Sequence, residues 1–280
     1  MTGEGALRFE RSSGSGAARD ARDARDEKTK TAIHTALASS PLHLLTPRNH
    51  GDAAWVYVAN FGGGLVDGDA LRLRVDVGPR ARALLATQAS TKVYRSPRGC
   101  SQRVDVDVAA DGFFALVPDP VTCFAGARYT QETTVRLAAG ATLVYVDAVT
   151  SGRSAHGERW DFARYASRTR IEHDGRVVVL DGLLLDPEHG DLASRMGRFD
   201  ALATVIALGP EAHAIREVIL GAAPRLETRA ALVESASPLS EQGALGRIAA
   251  TSVERLTTRV RELLSPLAAE LGDDPFARKW

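Results

Sequence analysis

Apolar and polar residues alternate with a period of two through Leu71, Leu73, Val75 and Val77, with Arg72, Arg74 and Asp76 between them. That spacing buries one face of a strand. The rhythm returns from Arg103 to Ala109, where Val104, Val106 and Val108 share one face and Asp105 and Asp107 the solvated other. Shorter β-type runs complete the stretch from Trp55 to Leu180: Trp55 to Asn60, Ala81 to Gln88, Phe113 to Val117, Gln131 to Leu137, Thr142 to Ala148, Thr169 to His173 and Val177 to Leu180. Turn signals at Ala110 to Gly112, Ala139 to Gly140 and Asp174 to Gly175 recur at intervals that suit stacked antiparallel strands. No long amphipathic helices alternate with the strands, which argues against a parallel α/β sheet. The strand spacing carries no fixed sequence repeat, which argues against a regular solenoid.

The flanks read differently. Ala6 to Glu10 predicts a short first strand, and Ala32 to Leu45, broken by Pro41, predicts an edge strand or extended chain. Between them, residues 12–28 are polar, small and repeat Ala-Arg-Asp, so they bury too little apolar surface to offset ordering and read as a disordered insertion. Helices come late. Pro210 to Leu220 carries Ala212, Ile215, Val218 and Ile219 on one side. Within 249–271, Thr251 and Glu254 have capping-box spacing ahead of the stripe Val253, Leu256, Val260, Leu263 and Leu264. Pro266 stops that helix, kinks it, or opens a separate last helix through Leu271.

The segment from Asn60 to Arg95 organises the chain. Gly62, Gly63 and Gly64 supply backbone freedom, and Asp67 with Gly68 predicts a tight type I′ hairpin with positive φ at both residues. A phosphate cradle does not fit: no Gly-Lys-Ser/Thr follows, and a strand rather than a helix comes next. Thr91, Lys92, Tyr94 and Arg95 then end a strand in polar residues with no base at the spacing of a nucleophilic site.

Bulk properties exclude several classes. The 35 basic and 35 acidic residues of the 280 cancel, so no global charge steers the chain to nucleic acid or membrane. No apolar run reaches a membrane span. Glu4, Arg8, Glu10 and Arg11 interrupt any signal-peptide core, which points to the cytoplasm. Cys100 and Cys123 form no Cys-x-x-Cys and read as free thiols. The seven histidines show no His-x-His or His-x-x-x-His, so neither a metal store nor a two-metal catalytic centre is expected.

Three blocks carry a resemblance. Phe61 to Asp69 (FGGGLVDGD), Thr87 to Ser96 (TQASTKVYRS) and Ser151 to Glu158 (SGRSAHGE), with Ser40 to Pro47 ahead of them, closely resemble the urease accessory protein family UreD, also called UreH. The likeness runs from about Thr35 to Arg261, with glycine more usual in the family at the place of Asp67. It implies one domain over 1–280, mostly β, a layered antiparallel or β-helix-like stack of short strands with a small C-terminal helical region. It implies an assembly factor rather than an enzyme, one that binds urease structural subunits and, with UreF and UreG, promotes nickel insertion. No cofactor is tightly bound in this reading; nickel is cargo in transit.

Asp69 matches a family position on the expected metal path, and with Lys92, Asp147 and Glu158 it is assigned to the border of that route, Asp147 and Glu158 because nickel accepts carboxylate ligands and Lys92 as one of its charged side chains. Gly62, Gly63, Gly64, Thr91, Tyr94, Arg95 and Arg153 are assigned to a partner interface. Two other classes stay open: a scaffold that never touches nickel, and a β-rich enzyme using Glu158 or Asp147 as acid or base.

Overall fold

The computed structural model describes residues 1–12, 30–48, 51–222 and 229–277. The alternating runs form two sheets. In the first, the strands lie in the order β14 (Arg176–Leu185), β13 (Arg164–His173), β11 (Arg128–Leu137), β8 (Cys100–Val108), β5 (Ala70–Val77), β1 (Thr2–Arg11) and β2 (Thr31–Ala38). In the second, the order is β16 (Leu232–Ser240), β17 (Gly243–Ala250), β15 (Ala201–Leu208), β12 (Thr142–Thr150), β9 (Phe113–Val117), β6 (Arg82–Thr87), β4 (Ala54–Asn60) and β3 (Leu42–Leu45). Two short strands, β7 (Lys92–Val93) and β10 (Val121–Cys123), make a third side.

Mostly-β architecture with late helices is as the sequence implies, but the pairing of the inner strands is not antiparallel. β5, β8, β11 and β13 run parallel in the first sheet, and β4, β6, β9 and β12 run parallel in the second. The chain alternates between sheets, so it winds as a coil: Val56 lies beside Leu85, Leu85 beside Leu116, and Leu116 beside Tyr145. The turns therefore arch from one sheet to the other and do not close hairpins. Ala81 bonds Gly78, Gly112 bonds Ala109, and Ala141 bonds Ala138, one turn on each of three successive coils. The residues Arg80, Asp111 and Gly140 take positive φ at equivalent points. Antiparallel pairs cap the coil through β2, β3 and β14.

The predicted hairpin at Asp67 is one such arch. Asp69 N donates to Val66 O at 2.9 Å, and Gly68 has φ +84°, whereas Asp67 is not among the positive-φ residues. Asp67 is held instead by Arg98, whose backbone and Nε nitrogens both donate to its carboxylate at 2.8 Å. The flanking segments leave in different directions: Leu65 bridges to Val93 on the third side, and β5 joins the first sheet.

Leu73, Val75, Val104, Val106, Leu85, Leu143 and Phe162 fill the space between the sheets. A second apolar cluster lies outside the second sheet, where the helices His213–Gly221 and Val253–Leu263 pack on β15 and β17 through Ile215, Ile219, Leu256 and Val260. Ser252, not Thr251, caps the latter helix, its Oγ accepting from Arg255 N at 3.3 Å. Pro266 separates it from Leu267–Leu271. The strands β15, β16 and β17 lie beyond the predicted series; Ala201–Leu208 is apolar with little alternation, a pattern that does not distinguish strand from buried helix. The expected disordered insertion at 12–28 falls, after Ser12, outside the described residues. Cys100 and Cys123 are free and buried. No helix among the described residues is long and apolar enough to cross a membrane.

Candidate functional site

Strands turn alternate side chains into the coil, and midway along it those side chains are polar. On β11, Gln131 and Thr133 share the inward phase with Tyr129 and Val135; on β13, Ser167 and Thr169 share it with Tyr165 and Ile171. Register aligns Gln102, Gln131 and Ser167 in one row, and Thr133, Thr169 and Asp181 in the next. From the facing sheet, β12 presents Tyr145 and Asp147 in phase with buried Leu143 and Val149.

Asp147 is the centre of this belt. Gln131 Nε2 donates to its Oδ1 at 2.7 Å, and Ser167 Oγ donates to Oδ2. Tyr165 OH stands 3.5 Å from Oδ1, and Tyr145 OH meets Thr169 Oγ1 at 2.9 Å. Asp147 is half-buried by area, and the surface it retains faces an adjoining cleft. Burial pushes its pKa up, the bonds from Ser167 and Gln131 pull against that, and the charge of Asp181 pushes it further up. Burial also raises the phenols of Tyr129, Tyr145 and Tyr165, which stay protonated as neutral donors.

Open space lies on both sides of Asp147. A cleft of about 400 Å³ runs from it past Ser167, Thr169 and Thr204 to Asp181 and Arg247, bounded by β14, β16 and β17. A cavity of about 50 Å³, with room for a few waters, runs the other way past Gln131, Thr133 and Tyr145 toward Thr87, Thr91 and Asp119. There Thr87 Oγ1 donates to Asp119 Oδ2 at 3.0 Å. Asp147 and Ala148 wall both spaces. The two spaces, mostly apolar in their lining apart from the belt, together form a corridor with a carboxylate at its junction.

Of the residues singled out by sequence, Asp147 and Thr91 line this corridor. Asp69 and Glu158 lie elsewhere. Asp69 is buried in its turn, accepting from Val66 N at 2.9 Å and from the Met1 nitrogen at 2.7 Å. Glu158, expected near Asp147, is instead clamped by Arg153 through two nitrogens and by Ala125 N at 3.2 Å. Arg153 holds its carboxyl below the usual range. The Arg153 guanidinium covers the Phe124 ring at 4.3 Å, and Phe124 meets Tyr94 edge-on at 5.1 Å. Lys92 and Arg95 are exposed on the same side. Gly62 and Gly63 face open space, while Gly64 packs against Lys92 O, where a Cβ would come within 2.6 Å. Tyr94, Arg153 and Glu158 thus form an outer corner, separate from the corridor.

Sequence reasoning missed Gln131, Ser167, Thr169, Asp181 and Arg247. The signal for the first three was available: polar residues at the buried phase of otherwise apolar strands. Asp181 and Arg247 come together only through tertiary structure. Among the described residues, no three His, Cys, Asp or Glu side chains are grouped to hold a metal ion.

A family model described as UreD urease accessory protein matches residues 16–280. The chain belongs to the UreD family. It is similar to the urease accessory protein UreD of Sorangium cellulosum, 60% identical over 251 residues, covering 90% of this chain and 80% of the relative. Another UreD, from an Anaeromyxobacter species, is 46% identical over 254 residues, covering 89% and 84%. The urease accessory protein D of Oryza sativa subsp. japonica is 33% identical over 308 residues, covering 99% of both chains. UreD likeness therefore spans both sheets, the polar belt and the helices.

Proposed function

We propose that this chain acts in urease maturation as a non-catalytic cytoplasmic factor that binds the urease apoprotein and, with UreF and UreG, passes nickel to the urease active site. The observation that carries the transfer step is Asp147, a carboxylate shared by the walls of a cleft and a smaller cavity. Nickel accepts oxygen and nitrogen ligands. Asp147 offers one anionic oxygen, and Gln131, Ser167 and Thr169 offer neutral ones close by. Such a set replaces part of the hydration shell without a closed cage, so the ion can leave. The apolar lining of the cleft strengthens the attraction of the carboxylate for a cation.

The scarcity of grouped ligand side chains among the described residues favours a second reading, a scaffold that assembles the complex without touching the metal. One experiment separates the two. The chain is co-expressed with urease subunits, UreF and UreG as wild type, Ser167→Phe and Asp147→Asn, and co-purification and urease nickel content are measured. The transfer reading expects intact complexes with nickel-poor urease in both variants. Normal nickel in intact complexes of both variants leaves the scaffold.

A further inference from the structure

An ion pair spans the mouth of the wider cleft. Arg247 Nη2 on β17 donates to Asp181 Oδ1 on β14 at 2.7 Å. The two strands belong to different sheets, so the contact spans a gap that backbone pairing leaves open. Both residues are in line with the belt: Arg247 lies beside Thr204, which lies beside Asp147, and Asp181 lies beside Thr169. Glu234 also borders the cleft, but Arg259 holds its two oxygens at 2.8 and 3.0 Å. The charges left to answer one another in the cleft are Asp147, Asp181 and Arg247.

We propose that Arg247 determines which ions settle in the corridor: its guanidinium occupies Asp181 as a built-in cation, and an ion held between Asp181 and Asp147 must displace it. This rests on the reading of the corridor as the nickel route. The side chain of Arg247 is 52% exposed, so it can swing into water, where its charge is well solvated, at little cost. Displacement by a divalent ion is favourable in charge, because Asp147 and Asp181 together present two negative charges and Arg247 cancels one. A monovalent ion cancels no more than Arg247 does, and it competes against a tethered group at high effective concentration. Abundant potassium is thereby kept out while a scarce divalent ion passes.

The test uses the purified complex of this chain with urease apoprotein, UreF and UreG, loaded with nickel in potassium chloride or choline chloride at equal ionic strength. The methyl groups of choline keep its charged nitrogen away from a carboxylate oxygen, so it competes poorly for the cleft and controls for screening of the assembly itself. In wild type, both salts are expected to lower nickel loading equally. In Arg247→Ala, potassium is expected to lower it well beyond choline, and Arg247→Lys is expected to restore parity. Arg247→Gln repeats the loss of charge with side-chain length retained, should the alanine variant fold poorly. Equal sensitivity to the two salts in both uncharged variants overturns the proposal. The Ser167→Phe variant tells its failure from that of the corridor: blocked loading there, with parity in Arg247→Ala, rejects the role of Arg247 alone, whereas normal loading in Ser167→Phe rejects the corridor.

Discussion

Gln131 of β11 and Asp147 of β12 meet across the space between the two sheets, amide to carboxylate at 2.7 Å. The charge inside the coil is thus received by a neutral donor from the opposite wall, with Ser167 beside it on β13. Charge-assisted bonds of this kind keep the carboxylate in place without neutralising it. Among the described residues, the bonds that reach the Asp147 carboxylate come from Gln131, Ser167 and Tyr165, and none from an arginine or lysine.

That arrangement sets a pH dependence. The folded-state pKa of Asp147 lies above 3.8, with burial the chief cause. Below the unfolded pKa both states hold the proton, and Asp147 costs nothing. As pH rises through the raised folded pKa, the folded chain must ionise an enclosed group, and stability is lost. Asp147→Asn is expected to melt higher than wild type at neutral pH, the gap closing as pH falls toward 3.8. It is nevertheless expected to deliver less nickel, a gain in stability at the expense of function. Melting curves across pH check the first part; an unchanging gap contradicts it.

Arg82 fastens the helices to the second sheet. Its Nη2 lies 2.8 Å from Glu270 Oε2, its Nε donates to Glu270 O at 2.7 Å, and Nη1 pairs with Glu211. The guanidinium also covers Phe113 at 4.8 Å, and the side chain is only 18% exposed. Arg82→Ala strands two carboxylates, at a cost of roughly 2–4 kcal/mol, toward the lower end for a broken buried pair because both acids keep some water. Urea unfolding is expected to show a lower midpoint, with Arg82→Lys recovering part of it.

How far the sequence discloses this architecture follows from what periodicity encodes. Alternation at Val104, Val106 and Val108 identifies a strand and its buried face, and both hold in the structure. It says nothing of which strand lies alongside. The arches at Gly78 to Ala81, Ala109 to Gly112 and Ala138 to Ala141 repeat in backbone conformation, with different residues at the positive-φ point, so the coil has no residue repeat to find. The same limit governs the site. Asp147 is legible as a carboxylate within an apolar run, and Thr91 as a polar residue at a strand end. Glu158 looks alike in one dimension, yet Arg153, five residues before it, claims both of its oxygens.

Two glycines separate backbone strain from steric exclusion. Gly62 has φ +84° and only open space where a methyl group would stand, so Gly62→Ala is expected to cost about 1 kcal/mol, the left-handed penalty alone. Gly209 has φ +106°, and a Cβ there would lie 2.4 Å from Ala141 O and 2.7 Å from Thr142 Cα. Both obstacles are backbone, where the coil turns from β15 toward its helix. Gly209→Ala is expected to cost roughly 3 kcal/mol or more. Thermal unfolding of the two variants compares them directly, and equal losses reject the distinction.

The outer corner makes a separate prediction about partners. Phe61 is 58% exposed beside the glycine loop and touches the His43 ring at a centroid distance of 5.0 Å; Val66 is 49% exposed on the same segment. Exposed aromatic side chains near charge are the usual anchors of protein interfaces, and the glycine loop after Phe61 packs through Gly64 on Lys92 and Tyr94, with Tyr94 meeting Phe124 beneath the Arg153 guanidinium. Phe61→Ser removes little packing, so its melting temperature is expected to match wild type, while binding to the urease apoprotein or UreF weakens about tenfold, roughly 1.4 kcal/mol. Arg153→Ala uncovers Phe124 and releases Glu158, whose depressed pKa then rises toward 4.5. The stability that the clamp provides is present above the unfolded pKa and lost as pH falls through the folded one, so wild type and Arg153→Ala converge in acid. Leu180→Ser, on the far edge strand β14 and 69% exposed, is the control. Weakened co-purification of Phe61→Ser with Leu180→Ser unaffected assigns docking to the glycine-loop corner. The reverse result moves it to the free edge of β14, beside the mouth held by Asp181 and Arg247.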